Sequence, residues 1–159
     1  MPPGPEERKE PAPVEEETTD VLPTLTWSKK IPVVGIGASA GGLEALEEFL
    51  DAMPADSGMA FVIVSHQTPT RVSLLPELLT NHTTMKVLEV TTGVAVEPNT
   101  VYLSSPGMYL ALLDGVLQPM PADTTHGILQ FPIDYFFRSL ADDRRDKAIS
   151  IVLSGTGTD

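Results

Sequence analysis

The stretch from Ile31 to Leu50 constrains the fold more than any other part of this sequence. Ile31-Pro32-Val33-Val34-Gly35-Ile36-Gly37 is short, apolar, rich in β-branched residues and ends in glycine. A run like this, with no polar alternation, is the pattern of a strand buried on both faces, and it points to a parallel sheet. Pro32 stands at its start, where a missing N–H is tolerated. From Gly41 to Leu50 the period changes. Leu43, Leu46, Phe49 and Leu50 share one face of a helix, and Glu44, Glu47 and Glu48 share the other. Pro54 and Gly58 follow as stop signals.

The same alternation continues downstream. Ala60 to Ser65 reads as a second buried strand, and Ser73 to Asn81 as a helix with Pro76 in its first turn. Lys86 to Val90 and Thr100 to Ser104 read as further strands. Tyr109 to Leu113 and Val116 to Gln118 flank Asp114-Gly115, a strong hairpin signal. Pro132 to Ala141 is helical, with Phe136, Phe137 and Leu140 as its apolar face, and Ala148 to Leu153 is a last strand. Strand and helix in this order imply an α/β domain with a doubly wound, mostly parallel sheet, Rossmann-like, with helices on both faces. Residues 1–30 differ: Pro, Glu and Thr dominate and the apolar residues have no period, so they read as a disordered acidic tail before a domain at 31–159.

Bulk properties exclude several classes. The chain has 159 residues, enough for one domain with a core. It has no cysteine, which rules out disulfides, thiolate metal sites and a cysteine nucleophile. No apolar run is long enough to cross a membrane, and the charged, proline-rich start is not a secretory signal, so the expectation is a cytoplasmic protein without membrane insertion. A net charge of −12 argues against nucleic acid as a partner. Lys29-Lys30 and Arg144-Arg145-Asp146-Lys147 read as solvated segments.

The chemistry concentrates where strands give way to glycine-rich loops. Gly37-Ala38-Ser39-Ala40-Gly41 fits G-x-S-x-G, a sharp strand-to-helix turn that lifts a serine hydroxyl above the sheet. Ser39 then stands at a helix N-terminus, whose free N–H groups favour developing negative charge. Gly35-x-Gly37-x-x-Ala40 also fits the dinucleotide fingerprint, but that motif needs an acid at the end of the second strand, and here Ser65-His66-Gln67 stands instead. A tight turn that merely packs helix on sheet is the third reading of these residues.

His66, directly after the second strand, is placed to act as a base toward Ser39 if the two strands are neighbours. His82 is expected to cap a helix or face water, and His126 is a candidate pocket residue. Ser154 to Asp159 supplies an acid, Asp159, and the N–H groups around Thr156 and Gly157 for an oxyanion hole. The three loops after residues 37, 65 and 153 are all expected at one rim of the sheet. No cofactor or metal is called for.

Five ordered pieces carry a family resemblance: residues 36–46 (IGASAGGLEAL), 62–69 (VIVSHQTP), 90–112 (VTTGVAVEPNTVYLSSPGMYLAL), 131–143 (FPIDYFFRSLADD) and 150–159 (SIVLSGTGTD). The sequence resembles the catalytic domain of the chemotaxis protein-glutamate methylesterases, the CheB family. The resemblance implies a triad with Ser39 as nucleophile, His66 as base and Asp159 as orienting acid, with oxyanion contacts near Ala40, Thr156 and Gly157. It implies hydrolysis of γ-glutamyl methyl esters on the signalling helices of methylated chemoreceptors, with glutamine deamidation as a side activity. Ala40 stands where the family often has threonine, His66-Gln67-Thr68-Pro69 replaces the usual His-Met-Pro, and the expectation is an acidic tail in place of the usual receiver domain. The wording around 132–141 and 154–159 is similar to methylesterase domains fused to a receptor methyltransferase (CheB/CheR). The expectation is therefore the N-terminal part of such a fusion, with the domain truncated at its C-terminus. The competing expectation is a non-catalytic module that docks receptors or a partner domain.

Overall fold

The structure, a computed structural model, describes residues 30–38, 41–65, 74–122 and 131–153. Five strands form the main sheet: β1 (Val33–Ala38), β2 (Ala60–Ser65), β3 (Lys86–Val90), β5 (Thr100–Ser104) and β8 (Ala148–Leu153). They lie in the order β3-β5-β2-β1-β8, and every pairing is parallel. β4 (Val94–Ala95), β6 (Met108–Leu113) and β7 (Val116–Pro121) make a small antiparallel sheet in the order β4-β7-β6. Helices α1 (Leu43–Ala52) and α2 (Leu75–Leu79) cover one face of the main sheet, and α3 (Pro132–Arg144) covers the other.

The period-2 alternation of a strand explains the two cores. Val34, Ile36, Phe61, Ile63, Val101 and Leu103 point one way, onto Leu46, Leu50 and Leu79 of α1 and α2. Val33, Val62, Val64 and Tyr102 point the other way, onto Ile133, Phe136 and Leu140 of α3 and onto the hairpin's Leu110, Leu112 and Leu117. All six residues of β1 are buried, as its continuous apolar pattern requires. On the α3 side β1 offers Val33 and then only Gly35 and Gly37, and α3 closes onto the two glycines. A Cβ on Gly35 would lie 2.8 Å from Leu140 Cδ2, and one on Gly37 would lie 2.5 Å from Ile133 Cγ2. These two glycines therefore set how near α3 comes to the sheet.

The hairpin follows its sequence signal. Asp114 and Gly115 both take positive φ, 50° and 80°, as the two-residue primed turn demands. Asp143 Oδ1 accepts the Gly115 N–H at 3.3 Å, and Ser139 Oγ accepts the Leu112 N–H at 3.0 Å, so α3 holds the hairpin at two points. β4, too short to show a period, was absent from the sequence reading. It is secured by Tyr102, whose hydroxyl accepts the Glu97 N–H at 2.9 Å and donates to Ala95 O at 3.3 Å.

Three of the sequence expectations change around α1 and α3. α1 begins at Leu43 rather than Gly41, because Gly41 has φ +120° and cannot be helical. Leu43, expected in the core, is 39% exposed at the helix's first turn. The third change concerns the basic run at 144–147. Arg144 is buried, with its Nη1 2.9 Å from Asp143 Oδ2. The physical reason is its spacing: Ile133, Phe136, Leu140 and Arg144 fall on one stripe of α3, which outweighs the residue's charge. Burial lowers the pKa of the guanidinium, and Asp143 opposes that shift.

Two predictions arise here. Arg145 ends α3 with φ 53° and ψ −110°, a left-handed conformation that costs a residue with a side chain about 1–3 kcal/mol. Glycine adopts such conformations freely. Arg145→Gly is expected to stabilise the fold by about 1 kcal/mol, seen as a higher urea midpoint at unchanged slope. A lower midpoint would mean that the arginine side chain contributes more than its backbone costs.

Burial, the largest influence on it, raises the Tyr102 phenol above its ordinary 10.0. A group whose folded pKa is raised contributes stability in full below its unfolded pKa and loses it as pH rises through the folded value. Stability is expected to fall above about pH 10, with a shallower fall in Tyr102→Phe, which has no phenol to ionise. Urea titrations from pH 8 to 11 measure both slopes; identical slopes would contradict the prediction.

Candidate functional site at the carboxyl edge of the sheet

In an open α/β sheet, sites form beyond the carboxyl ends of the strands, where successive connections leave in opposite directions. Here that point lies at β1. The chain leaves β1 through α1 toward β2 on one side, and returns through α3 on the other face to β8. The strand ends are level: Ala38 is in register with Ser65 of β2 and with Leu153 of β8. Neighbouring strands stand about 4.8 Å apart, so the exits of β2 and β8 lie on either side of the exit of β1. The residues that follow in sequence are Ser39, His66 and Ser154.

The expected site residues Ser39, Ala40, His66, Thr156, Gly157 and Asp159 lie outside the described residues, as does His126. The frame around them is described. α1 begins beside the β1 exit with Gly42 as its N-cap, a residue with no side chain to cap it, and a helix start of this kind favours an anion. Gly41, with φ +120°, makes the turn into the helix, a conformation that favours glycine. On the opposite face α3 starts at the same edge, its Ile133 set directly against Gly37.

Two serines at the end of β5, unremarked in the sequence, hold this edge in place. The buried Ser104 Oγ accepts the N–H of Ser65, the residue before His66, at 3.4 Å. Ser105 Oγ donates to Val90 O at 2.9 Å and ties down the end of β3. The only sequence sign of this role was a pair of hydroxyls at a strand end.

His82 is neither a cap nor free in water. Its Nδ1 is 3.0 Å from Asp51 Oδ2 and its Nε2 is 3.7 Å from Glu47 Oε1, so it bridges two carboxylates of α1. A cavity of about 330 Å³ lined by Leu50, Met53 and the 80–84 turn adjoins it. That cavity lies at the carboxyl end of α1, a helix length of about 15 Å from the end that faces the strand exits, and it takes no part in the rim. Among the described residues no group of three His, Asp or Glu could hold a metal ion. None of their helices is long and apolar enough to cross a membrane.

The dinucleotide reading of Gly35 and Gly37 loses its physical basis. Both glycines face α3, and the space a ligand's phosphates would need at their Cβ positions is taken by Ile133, Phe136 and Leu140.

The fold and its edge thus define a doubly wound α/β domain whose switch point lies at the exit of β1. A family model described as CheB methylesterase matches residues 34–159, and the chain belongs to that family. It is 35% identical over 130 residues to protein-glutamate methylesterase/protein-glutamine glutaminase 2 of Xanthomonas oryzae pv. oryzae (strain MAFF 311018), covering 80% of this chain and 36% of that protein. It is 37% identical over 130 residues to protein-glutamate methylesterase/protein-glutamine glutaminase 3 of Burkholderia orbicola (strain AU 1054), covering 80% of this chain and 38% of the relative. The chain therefore spans little more than a third of the length of the relatives it matches. Among solved structures, the crystal structure of the Thermotoga maritima CheB methylesterase catalytic domain superposes with a TM-score of 0.71 at 25% identity, over 81% of this chain and 70% of that one.

Proposed function

We propose that this domain is a cytoplasmic protein-glutamate methylesterase that hydrolyses γ-glutamyl methyl esters on the signalling helices of methylated chemoreceptors. The observation that carries the reading is the level, adjacent ending of β1, β2 and β8, each followed in sequence by a residue or loop the chemistry needs. Ser39 Oγ attacks the ester carbonyl while His66 takes its proton, and Asp159 steadies the imidazole. N–H groups near Ala40, Thr156 and Gly157, together with the start of α1, hold the oxyanion. The proton returns to the leaving methoxide, methanol departs, and water activated by the same base releases the glutamate. Glutamine deamidation follows the same route with ammonia as the leaving group.

The charge of −12 also fits the reaction: the methyl ester is neutral and its product is an anion, which this protein repels. The proposal includes residues 1–30 as an acidic tail and a receptor methyltransferase domain in the same polypeptide, the latter supported by the wording of residues 132–141 and 154–159. Methanol release from a methylated chemoreceptor fragment tests the reading. Release that depends on Ser39 supports it. Binding of the fragment without release would identify a docking module instead.

A further inference from the structure

β8 closes one end of the main sheet, and its outer edge pairs with no strand among the described residues. All six residues of β1 are buried, and none of the six in β8 is. Ile149 is 43% exposed and Val152 71%. An edge strand is ordinarily protected by charge, proline or a bulge, because its unpaired N–H and C=O groups recruit another strand. The opposite edge follows that rule: β3 carries Lys86 and Glu89, and Lys86 reaches Glu97. β8 reads Ala148-Ile149-Ser150-Ile151-Val152-Leu153, with no charge and no proline. A strand of this composition belongs inside a sheet.

The chain's own preceding segment arrives at that edge. Lys147, the residue before β8, donates from Nζ to Lys30 O at 3.0 Å. The backbone turns at Lys30 and enters β1 at Val33, which is level with Ala148. Residues before Lys30 therefore start beside the amino end of β8. The acids of the tail all lie at or before Asp20, and Val21-Leu22-Pro23-Thr24-Leu25-Thr26-Trp27-Ser28 carries no charge. Val, Thr and Trp favour a strand, and Pro23 is acceptable in an outermost one. Leu25 and Trp27 fall on one face of such a strand and Thr24 and Thr26 on the other, in a stretch too short to give the whole tail a period.

We propose that residues 21–28 add to the outer edge of β8 as an antiparallel strand. The segment runs toward the amino edge of the sheet, turns at Lys30 under the Lys147 contact and enters β1, so it opposes the direction of both β1 and β8. With Ser28 level with Ala148, Trp27 lies opposite Ile149, Leu25 opposite Ile151 and Thr24 opposite Val152. Trp27 and Leu25 then join Ile151 and Leu153, which already pack against the core on the α1 side. The crossing covers two strand spacings, about 9.6 Å. The five steps from Ser28 to Val33 reach up to about 17 Å, so the connection is long enough. A second copy of the chain would meet the same edge without a tether, whereas the attached segment acts at a high effective concentration. The pairing covers the apolar edge and stands apart from the methylesterase reading.

Trp27 is the chain's one tryptophan, so its fluorescence reports on the segment directly. In the full chain its emission is expected at short wavelength and shielded from acrylamide. Val152→Lys, at a position already 71% exposed, is expected to shift the emission to the wavelength of the urea-unfolded chain while circular dichroism shows the domain still folded. Leu25→Lys should do the same from the other side of the pairing. Leu113→Lys, at the exposed hairpin tip, should leave the emission unchanged. The chain has no cysteine, so the double variant Thr24→Cys/Val152→Cys can be oxidised cleanly, and it is expected to close a disulfide within one chain. Emission that is already at the unfolded wavelength, that ignores Val152→Lys, or a cysteine pair that stays reduced overturns the proposal. Emission that depends on protein concentration, or cross-linked dimers in place of closed monomers, assigns the edge to a second copy and overturns it as well.

Discussion

Replacing Ser39 by alanine is expected to lower methanol release by about ten-thousand-fold or more, the scale on which serine triads fail when the nucleophile is lost. His66→Ala should cost nearly as much, and the double variant little more than either alone. Residues that act in one proton-transfer unit are not additive, because once the nucleophile is gone its base has nothing to activate. What survives is the contribution of the oxyanion donors and of substrate binding, and that is why the α1 N-terminus matters. Fragment binding should persist in Ser39→Ala. Losses that multiply in the double variant would show two independent effects and contradict a common catalytic unit.

The second large effect is structural. Gly37→Ala places a methyl group 2.5 Å from Ile133 Cγ2, well inside van der Waals contact. Ile133 is buried and β-branched, so it cannot swing aside cheaply. Overpacking of this kind costs about 1–3 kcal/mol. Because the clash sits between the end of β1 and the start of α3, next in sequence to the proposed nucleophile, activity should fall at temperatures where the variant is still folded. Gly35→Ala meets the far ends of Leu140, Phe136 and Phe137 instead and should be milder. A double-mutant cycle of Gly37→Ala with Ile133→Ala should show a favourable coupling of about 0.5–3 kcal/mol in urea denaturation. Additive effects would mean that α3 moves as a body and that the pair does not set its distance from the sheet.

Strands β1, β2 and β8 of the main sheet are legible in the sequence because each is an apolar run too short for a helix and bounded by turn residues. The hairpin was legible because Asp-Gly supplies two residues that accept positive φ. What escaped has specific causes. The order of the strands depends on contacts far apart in sequence, and no local pattern places β5 between β3 and β2. α2 is confined to Leu75–Leu79, while Leu74 and Leu78, which gave the longer span its apolar period, are exposed. Arg144 was misjudged because charge was weighed ahead of its position on the α3 stripe. At the site, Ser39 and His66 are named from spacing and context alone, and both lie outside the described residues. The serines that hold the rim could not be named in this way, since a hydroxyl at a strand end has no distinguishing pattern until its partners, Ser65 and Val90, are known.

The central claim is that Ser39, at the exit of β1, is the nucleophile. The most direct test is labelling with a fluorophosphonate, which reacts with an activated serine hydroxyl, followed by mass analysis of the tryptic peptide of residues 31–71, which contains Ser39, Ser57 and Ser65. The account predicts a single adduct on Ser39, lost in His66→Ala and suppressed by methylated receptor fragment. Methanol release with no adduct on Ser39, or an adduct on another serine that blocks release, would contradict it.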